Sequence, residues 1–176
     1  MSHQINIAEN GTTTLATAGK YCDRNIDVNV NVPSSGTELV YSIIERTIVD
    51  CVYDEITSVG AYCFSQCQSL ESVTFANVAV VYGYSFDNCI SLKRVELPMV
   101  RTIYNAAFRN CSKLEKLILR RNEVVKADGI NTFLNTGIAN GTGYVYVPDD
   151  LVDSYKTATN WSNYASQIKP LSELGE

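Results

Sequence analysis

Six cysteines and a single histidine are the residues of this 176-residue chain best suited to metal, redox or nucleophilic chemistry. A structural zinc site gathers four thiolates or imidazoles, usually from closely spaced pairs. No Cys-x-x-Cys occurs here, Cys63 and Cys67 are the only close pair, and His3 stands far away, so no metal ligand set is assigned. A serine or cysteine nucleophile needs a positioned base, and His3 is badly placed to be one. Two carboxylates could flank a glycosidic bond. Asp149-Asp150 is the obvious pair, but after Pro148 it has a sufficient role at the positive end of a helix. The run Gly137-x-x-x-Gly141-Thr142-Gly143 lacks the lysine of a phosphate loop. The chain is therefore expected to be no enzyme and to carry no cofactor.

What positions the cysteines is a repeat. Phe64, Phe86 and Phe108 are spaced by 22 residues, as are Cys67, Cys89 and Cys111. Leu70, Leu92 and Leu114 follow, then Val73, Val95 and Leu117, then Phe75, Leu97 and Leu119. Two units add Val78 and Val100, then Val81 and Ile103. A fixed period in this range marks a solenoid of stacked coils. The Leu-x-x-Val-x-Leu stretch puts alternate apolar residues on one side of an extended segment. Tyr62–Cys67 and its counterparts are expected to form a tight helical turn that closes each coil. No coil buries its own apolar face, so neighbours must stack, about 4.8 Å apart. Cys67, Cys89 and Cys111 then form an interior ladder, close enough for a disulfide but expected as free thiols packing like small hydrophobes. Cys51 falls in a core column; Cys22 has no assigned place.

One period before the first unit, Ile48, Cys51, Tyr53 and Ile56 fit the same columns and predict a leading strand. Beyond the third unit the spacing grows by three residues twice, around Ala127-Asp128-Gly129 and around Asn140-Gly141, which predicts an irregular last coil. The run Val145-Tyr146-Val147-Pro148 matches Val95-Glu96-Leu97-Pro98.

The units Val59–Val73 and Ile103–Leu114 resemble the BspA-type, or Treponema pallidum-type, leucine-rich repeat. That family's hallmark is Ile-Gly-x-x-Ala-Phe-x-x-Cys-x-x-Leu followed by a short strand ending in proline. The resemblance covers roughly residues 39–165. It implies an α/β fold, a right-handed β/α leucine-rich-repeat solenoid with short parallel strands. It also implies surface-exposed bacterial proteins that bind host proteins or glycans, without catalytic residues. Two departures concern local turns: Tyr84-Ser85-Phe86 lacks the alanine before Phe, and Phe75-Ala76 lacks the proline.

The two ends differ from the repeat. Ile5 and Ile7, the turn at Asn10-Gly11, and Ile26-Val28-Val30-Val32 before Pro33-Ser34-Ser35-Gly36 predict two or three short strands and a linker. This segment resembles tail-associated proteins of phages from gut Gram-positive bacteria. At the other end, Leu151, Val152 and Tyr155 share one helical face, and Trp161, Tyr164 and Ile168 suggest a second short helical element. Trp161 is expected to anchor this cap. The divisions are a strand module at 1–36 and a repeat domain at 37–176, with a leading cap at 37–56, repeats at 57–122 and the last coil and cap at 123–176.

Composition and charge narrow the partner. With 45% apolar and 19% charged residues, the chain can bury a core. No apolar run is long enough for membrane insertion, and the N-terminus lacks a secretory signal, so the expected product is cytoplasmic as synthesised and compatible with a virion or surface location. The net charge of −5 argues against nucleic acid. Nine of the fourteen basic residues nevertheless fall within 93–126, among only three acids. Lys93, Arg101, Arg109, Arg120 and Arg121 are the candidate anion-attracting flank. The outward strand positions form two columns: Asp50, Ser72, Arg94, Lys116 and Tyr144, and Val52, Thr74, Glu96, Ile118 and Tyr146. Ser72 through Tyr146 of these columns are the candidate ligand-binding residues. The sequence reads as a non-catalytic module binding protein or glycan through the strand face. The alternative is a structural or assembly component, with residues 1–33 meeting a partner chain.

Overall fold

The computed structural model describes residues 56–175, together with the backbone of six earlier strands. These are β1 (Gln4–Ile7), β2 (Gly11–Thr12), β3 (Thr14–Ala16), β4 (Lys20–Cys22), β5 (Glu38–Leu39) and β6 (Ile48–Val52). The expected strand at Ile26–Val32 and the side chains of Cys22 and Cys51 lie outside the described residues. From there each coil supplies two strands. β7 (Ser58–Val59), β9 (Val80–Val81), β11 (Thr102–Tyr104) and β13 (Lys126–Asp128) extend one parallel sheet, ordered β13-β11-β9-β7-β5. β8 (Ser72–Thr74), β10 (Arg94–Glu96), β12 (Lys116–Ile118), β14 (Tyr144–Val147) and β15 (Ile168–Pro170) extend the other, ordered β15-β14-β12-β10-β8-β6-β1-β2. Within it, β1 pairs antiparallel with both β2 and β6, while the solenoid strands pair parallel. The second strand of each coil is not legible in the sequence, although Val81 and Ile103 mark it. Two residues with one inward side chain carry too little alternation to be read.

Register reproduces the period. Val73 pairs with Val95 and Val95 with Leu117, so each core column runs straight along the stack. Phe64, Phe86, Phe108 and Phe133 stack at centroid distances of 5.2, 5.1 and 5.8 Å, within 5° of parallel. Leu70, Leu92 and Leu114 and the cysteines pack in the same buried interior. Cys63, Cys67, Cys89 and Cys111 are buried, reduced thiols. The Cys89 and Cys111 thiols donate to the Phe64 and Phe86 carbonyls at 3.0 Å, and burial pushes the Cys89 thiol well up from its ordinary value. These are inert thiols.

The segment closing each coil is not helical, contrary to the sequence reading. Left-handed residues interrupt it at fixed spacing: Tyr62 and Gln66, Tyr84 and Asn88, Ala106 and Asn110. Between them lie successive one-turn bonds, such as Ser65 N–H to Tyr62 O and Cys67 N–H to Phe64 O, both 3.0 Å. Every second amide turns instead to the next coil: Phe64 to Ser85 O and Gln66 to Asp87 O at 2.7 Å, Phe86 to Ala107 O and Asn88 to Arg109 O at 2.8 Å. A helix would spend those amides within the coil; the left-handed residues aim them along the stack. Asparagine tolerates that conformation best among non-glycine residues. Ser85, in the small-residue position before Phe86, is fully buried and donates to Tyr82 O at 2.6 Å.

The last coil absorbs its extra residues differently from the sequence reading. Thr102 pairs with Lys126, 24 residues on, so two of the first three additions precede β13 rather than surrounding Gly129. At the C-terminal end a one-turn Asp149–Leu151 leads into the helix α1 (Val152–Thr157), followed by a 3-10 stretch at Ser162–Gln167. Ile168 is not helical as expected; it opens β15 and pairs with Val145. Trp161 is buried against Phe133, and its indole donates to Val125 O at 2.6 Å, the anchoring role expected of it. The Tyr155 hydroxyl accepts from Val125 N–H at 3.0 Å and Asn160 Nδ2 donates to Ala127 O at 2.8 Å. Cap side chains thus satisfy the backbone edge that a further coil would have used, which also closes that edge to other chains.

Two outcomes follow. Leu92→Ala, which empties the centre of a straight column, lowers unfolding free energy by about 2–5 kcal/mol in urea titrations, whereas Ile90→Ala at an exposed position leaves it nearly unchanged. Burial raises the Tyr155 phenol from 10.0 to about 12. Between those values the unfolded chain has lost a proton that the folded chain keeps, so stability falls as pH rises through that window. Tyr155→Phe flattens that slope in thermal melts taken from pH 9 to about pH 12; an unchanged slope would refute the assignment.

Candidate functional site

The outward strand columns assemble as the sequence reading places them. Asp50, Ser72, Arg94, Lys116 and Tyr144 are in register, as are Val52, Thr74, Glu96, Ile118 and Tyr146. Their environments divide the face in two. Ser72, Thr74, Arg94 and Glu96 are partly exposed. Glu96 accepts from Arg94 at 2.6 Å and from Arg120 at 2.7 Å. Ile118 and Tyr146, expected to be open, are instead covered by Leu174 and Leu171, folded back over this end of the sheet. Tyr144 lies 4.6 Å beneath the Lys169 ammonium, and Lys116 Nζ reaches Leu174 O at 3.5 Å.

The basic flank is largely neutralised, in part by carboxylates outside the span that a linear charge window does not count. Lys93 binds Glu71 at 2.9 Å and Arg109 binds Asp87 with two bonds of 2.8 and 2.9 Å, each 22 residues earlier. Arg120 reaches Glu96, Arg121 reaches Glu123, and Lys126 reaches Asp128 at 3.1 Å. These carboxylates raise Lys93 and Arg109 from their ordinary values, and Arg121 lowers Glu123. In a solenoid a side chain also has neighbours one period away. Arg101 is exposed, with Glu123 in its electrostatic vicinity.

A different surface emerges on the turn edge. Tyr62 and Tyr84 stack at 5.0 Å and 3°, and Arg109 continues that stack 4.9 Å from the Tyr84 centroid. Two residues earlier in the coil, Tyr82 and Tyr104 stack at 5.4 Å and 4°. Tyr62 is 54% exposed, Tyr82 38% and Tyr104 37%. Across the four segments 60–66, 82–88, 104–110 and 129–135 the only charged residues are Asp87 and Arg109, which pair with each other. Asn110 adds its amide to Asp87 at 3.4 Å, and Asn135 donates to Asn110 at 2.9 Å. The sequence carries the signal in tyrosines one period apart, 62 with 84 and 82 with 104, outside the apolar columns.

Nothing in the described residues forms a group of three or more His, Cys, Asp or Glu able to hold a metal. Asp149 accepts from Ser172 N–H at 3.1 Å and is lowered by that contact, a structural role. In the glycine-rich run, a Cβ at Gly137 or Gly143 would stand 2.5 or 2.1 Å from Leu114 O. Those glycines allow one coil to approach the next. No helix among the described residues is long and apolar enough to cross a membrane.

Two short parallel strands per coil, a fixed phenylalanine-cysteine-leucine interior and a capped end define a leucine-rich-repeat solenoid. The chain belongs to the BspA type leucine rich repeat region family, whose profile matches residues 41–143 in six copies. Repeats of this family are generally non-catalytic and suggest a protein-interaction module. Among solved structures, the chain is similar to the crystal structure of a T. pallidum leucine rich repeat protein. Identity is 22%, the TM-score is 0.37, and the match covers 64% of this chain and 58% of that one. No curated protein matches the chain.

The neutralised flank makes a prediction. Glu71→Gln with Asp87→Asn strips Lys93 and Arg109 of their carboxylates and shifts elution from a polyanion column to higher salt than wild type. Equal elution of the two proteins would mean that the pairs do not screen the flank.

Proposed function

We propose that the chain is a non-catalytic recognition module that binds a protein partner on its tyrosine-lined turn edge. The observation that carries this reading is the edge itself: exposed, periodic tyrosines on rigid turns, with amides around them and no unpaired charge. Tyrosine supplies large contact area at low entropic cost, and asparagine and serine supply adaptable hydrogen bonds, the mixture used by protein-binding paratopes. The left-handed turns, tied to both neighbouring coils, hold those side chains in place before a partner arrives. The strand face is less suited. Arg94, Glu96 and Arg120 there engage one another, and its far end is covered.

The test uses purified chain immobilised against bacterial surface extracts and a glycan array, at about 50 mM and about 300 mM salt. The expected result is a protein partner retained at both salts, lost with Tyr62→Ser and Tyr104→Ser together, and kept with Arg94→Ala and Lys116→Ala. A partner that dissociates at high salt or depends on Arg94 would return the site to the strand face. A glycan ligand alone would refute the protein reading.

A further inference from the structure

The two tyrosine rows of the turn edge end differently. In the first, Tyr62 and Tyr84 stack at 5.0 Å, and Ala106 stands where a third ring would follow. The chain fills that place itself. The Arg109 guanidinium lies 4.9 Å from the Tyr84 centroid and donates to both oxygens of Asp87, at 2.8 and 2.9 Å. A planar cation spreads on a ring face while a carboxylate holds its edge, a pairing that suits a guanidinium better than an ammonium.

In the second row Tyr82 and Tyr104 stack at 5.4 Å, and the residue in register beyond Tyr104 is Asp128. Tyr82 covers the Tyr104 face toward the preceding coil. The opposite face points toward β13, and among the described residues neither a ring nor a cation lies over it. Tyr104 is 37% exposed. An aspartate side chain is shorter than a tyrosine ring, so Asp128 leaves the outer part of that face uncovered and sets a carboxylate beside it. Lys126, two residues back on the same face of the strand, reaches Asp128 at 3.1 Å, with the two side chains 66% and 41% exposed. An exposed pair of this kind holds weakly in water. The second row thus has the ring and the carboxylate of the first without its arginine.

We infer that Tyr104 and Asp128 form the seat for an arginine side chain of the partner protein. The inference rests on the recognition reading above and names the group that the edge recognises. The partner's guanidinium continues the Tyr82–Tyr104 stack as Arg109 continues the other, and it displaces Lys126 from the Asp128 carboxylate. Arg109 on Tyr84 and Asp87 states the chemistry of the occupant.

The peptide acetyl-Gly-Arg-Gly-amide tests the seat without the natural partner, titrated into the chain while tyrosine ring resonances are followed by NMR. The Tyr104 signals shift and approach saturation at about 10–50 mM peptide, as a single ring-and-carboxylate contact warrants. Peptides with lysine or citrulline in place of arginine bind at least about threefold more weakly. Asp128→Asn weakens arginine binding about threefold or more, and Lys126→Ala, which removes the competing cation, strengthens it about twofold. These substitutions alter exposed side chains outside the buried core. Unmoved Tyr104 signals, a lysine peptide that binds equally well, or an Asp128→Asn protein that binds like wild type would each overturn the inference. The outcomes separate from those of the recognition test. A partner protein that is retained, and lost with the tyrosine substitutions, while the arginine peptide is ignored leaves the recognition reading standing and removes the seat. Arginine-selective binding at Tyr104 with no protein captured from the extracts leaves the seat standing and removes that reading.

Discussion

Everything in this molecule depends on one constraint: a coil of 22 residues has no way to bury its own interior face. Each coil presents a phenylalanine, a cysteine and leucines inward, and these find cover only from the coil before and the coil after. The constraint extends to the backbone. Amides from both sheets and from the closing turn cross to the neighbouring coil, so apolar stacking and hydrogen bonding run along the same axis. Surface chemistry follows it as well. The tyrosine pairs, the Lys93–Glu71 and Arg109–Asp87 pairs and the Asn110–Asn135 contact all join residues one coil apart.

The same constraint explains how the ends are built. A solenoid must stop somewhere, and the last coil leaves a bare aromatic and an unpaired strand. Trp161 covers Phe133 where a further phenylalanine would stack, and Tyr155, Trp161 and Asn160 bond the backbone of residues 125 and 127. On the other sheet β15 adds one more parallel strand, whose Pro170 cannot offer the amide that a further strand would require. The cap replaces main chain with side chain on one sheet and ends the other with proline.

Much of this was legible because a period makes each inference testable against itself. The core columns, the strand register and the buried thiols were readable from three copies in phase. What escaped lies where copies differ or where the signal is short. The second sheet rests on strands of two or three residues, too brief for alternation to show. The closing turn resembled a helix because Phe-x-x-Cys-x-x-Leu also has helical spacing, and nothing in the side-chain pattern marks Tyr62 or Tyr84 as left-handed. The column alone reads Ile118 and Tyr146 as open because it assigns direction, whereas their burial depends on a leucine pair more than twenty residues further along the chain. The basic span reads as more unbalanced than it is because Glu71 and Asp87, the partners of Lys93 and Arg109, sit one coil back.

Trp161 is the only tryptophan in the sequence, and it sits at one end of the phenylalanine column, edge-on to Tyr155 at 5.3 Å. Optically, then, the molecule is lopsided. Its indole emission reports on the attachment of the last coil alone, while far-ultraviolet dichroism reports on every coil at once. In a linear array whose units touch only their neighbours, the two signals part company whenever the ends loosen before the middle. The distance between the two melting curves is therefore a direct reading of how cooperatively the stack holds together.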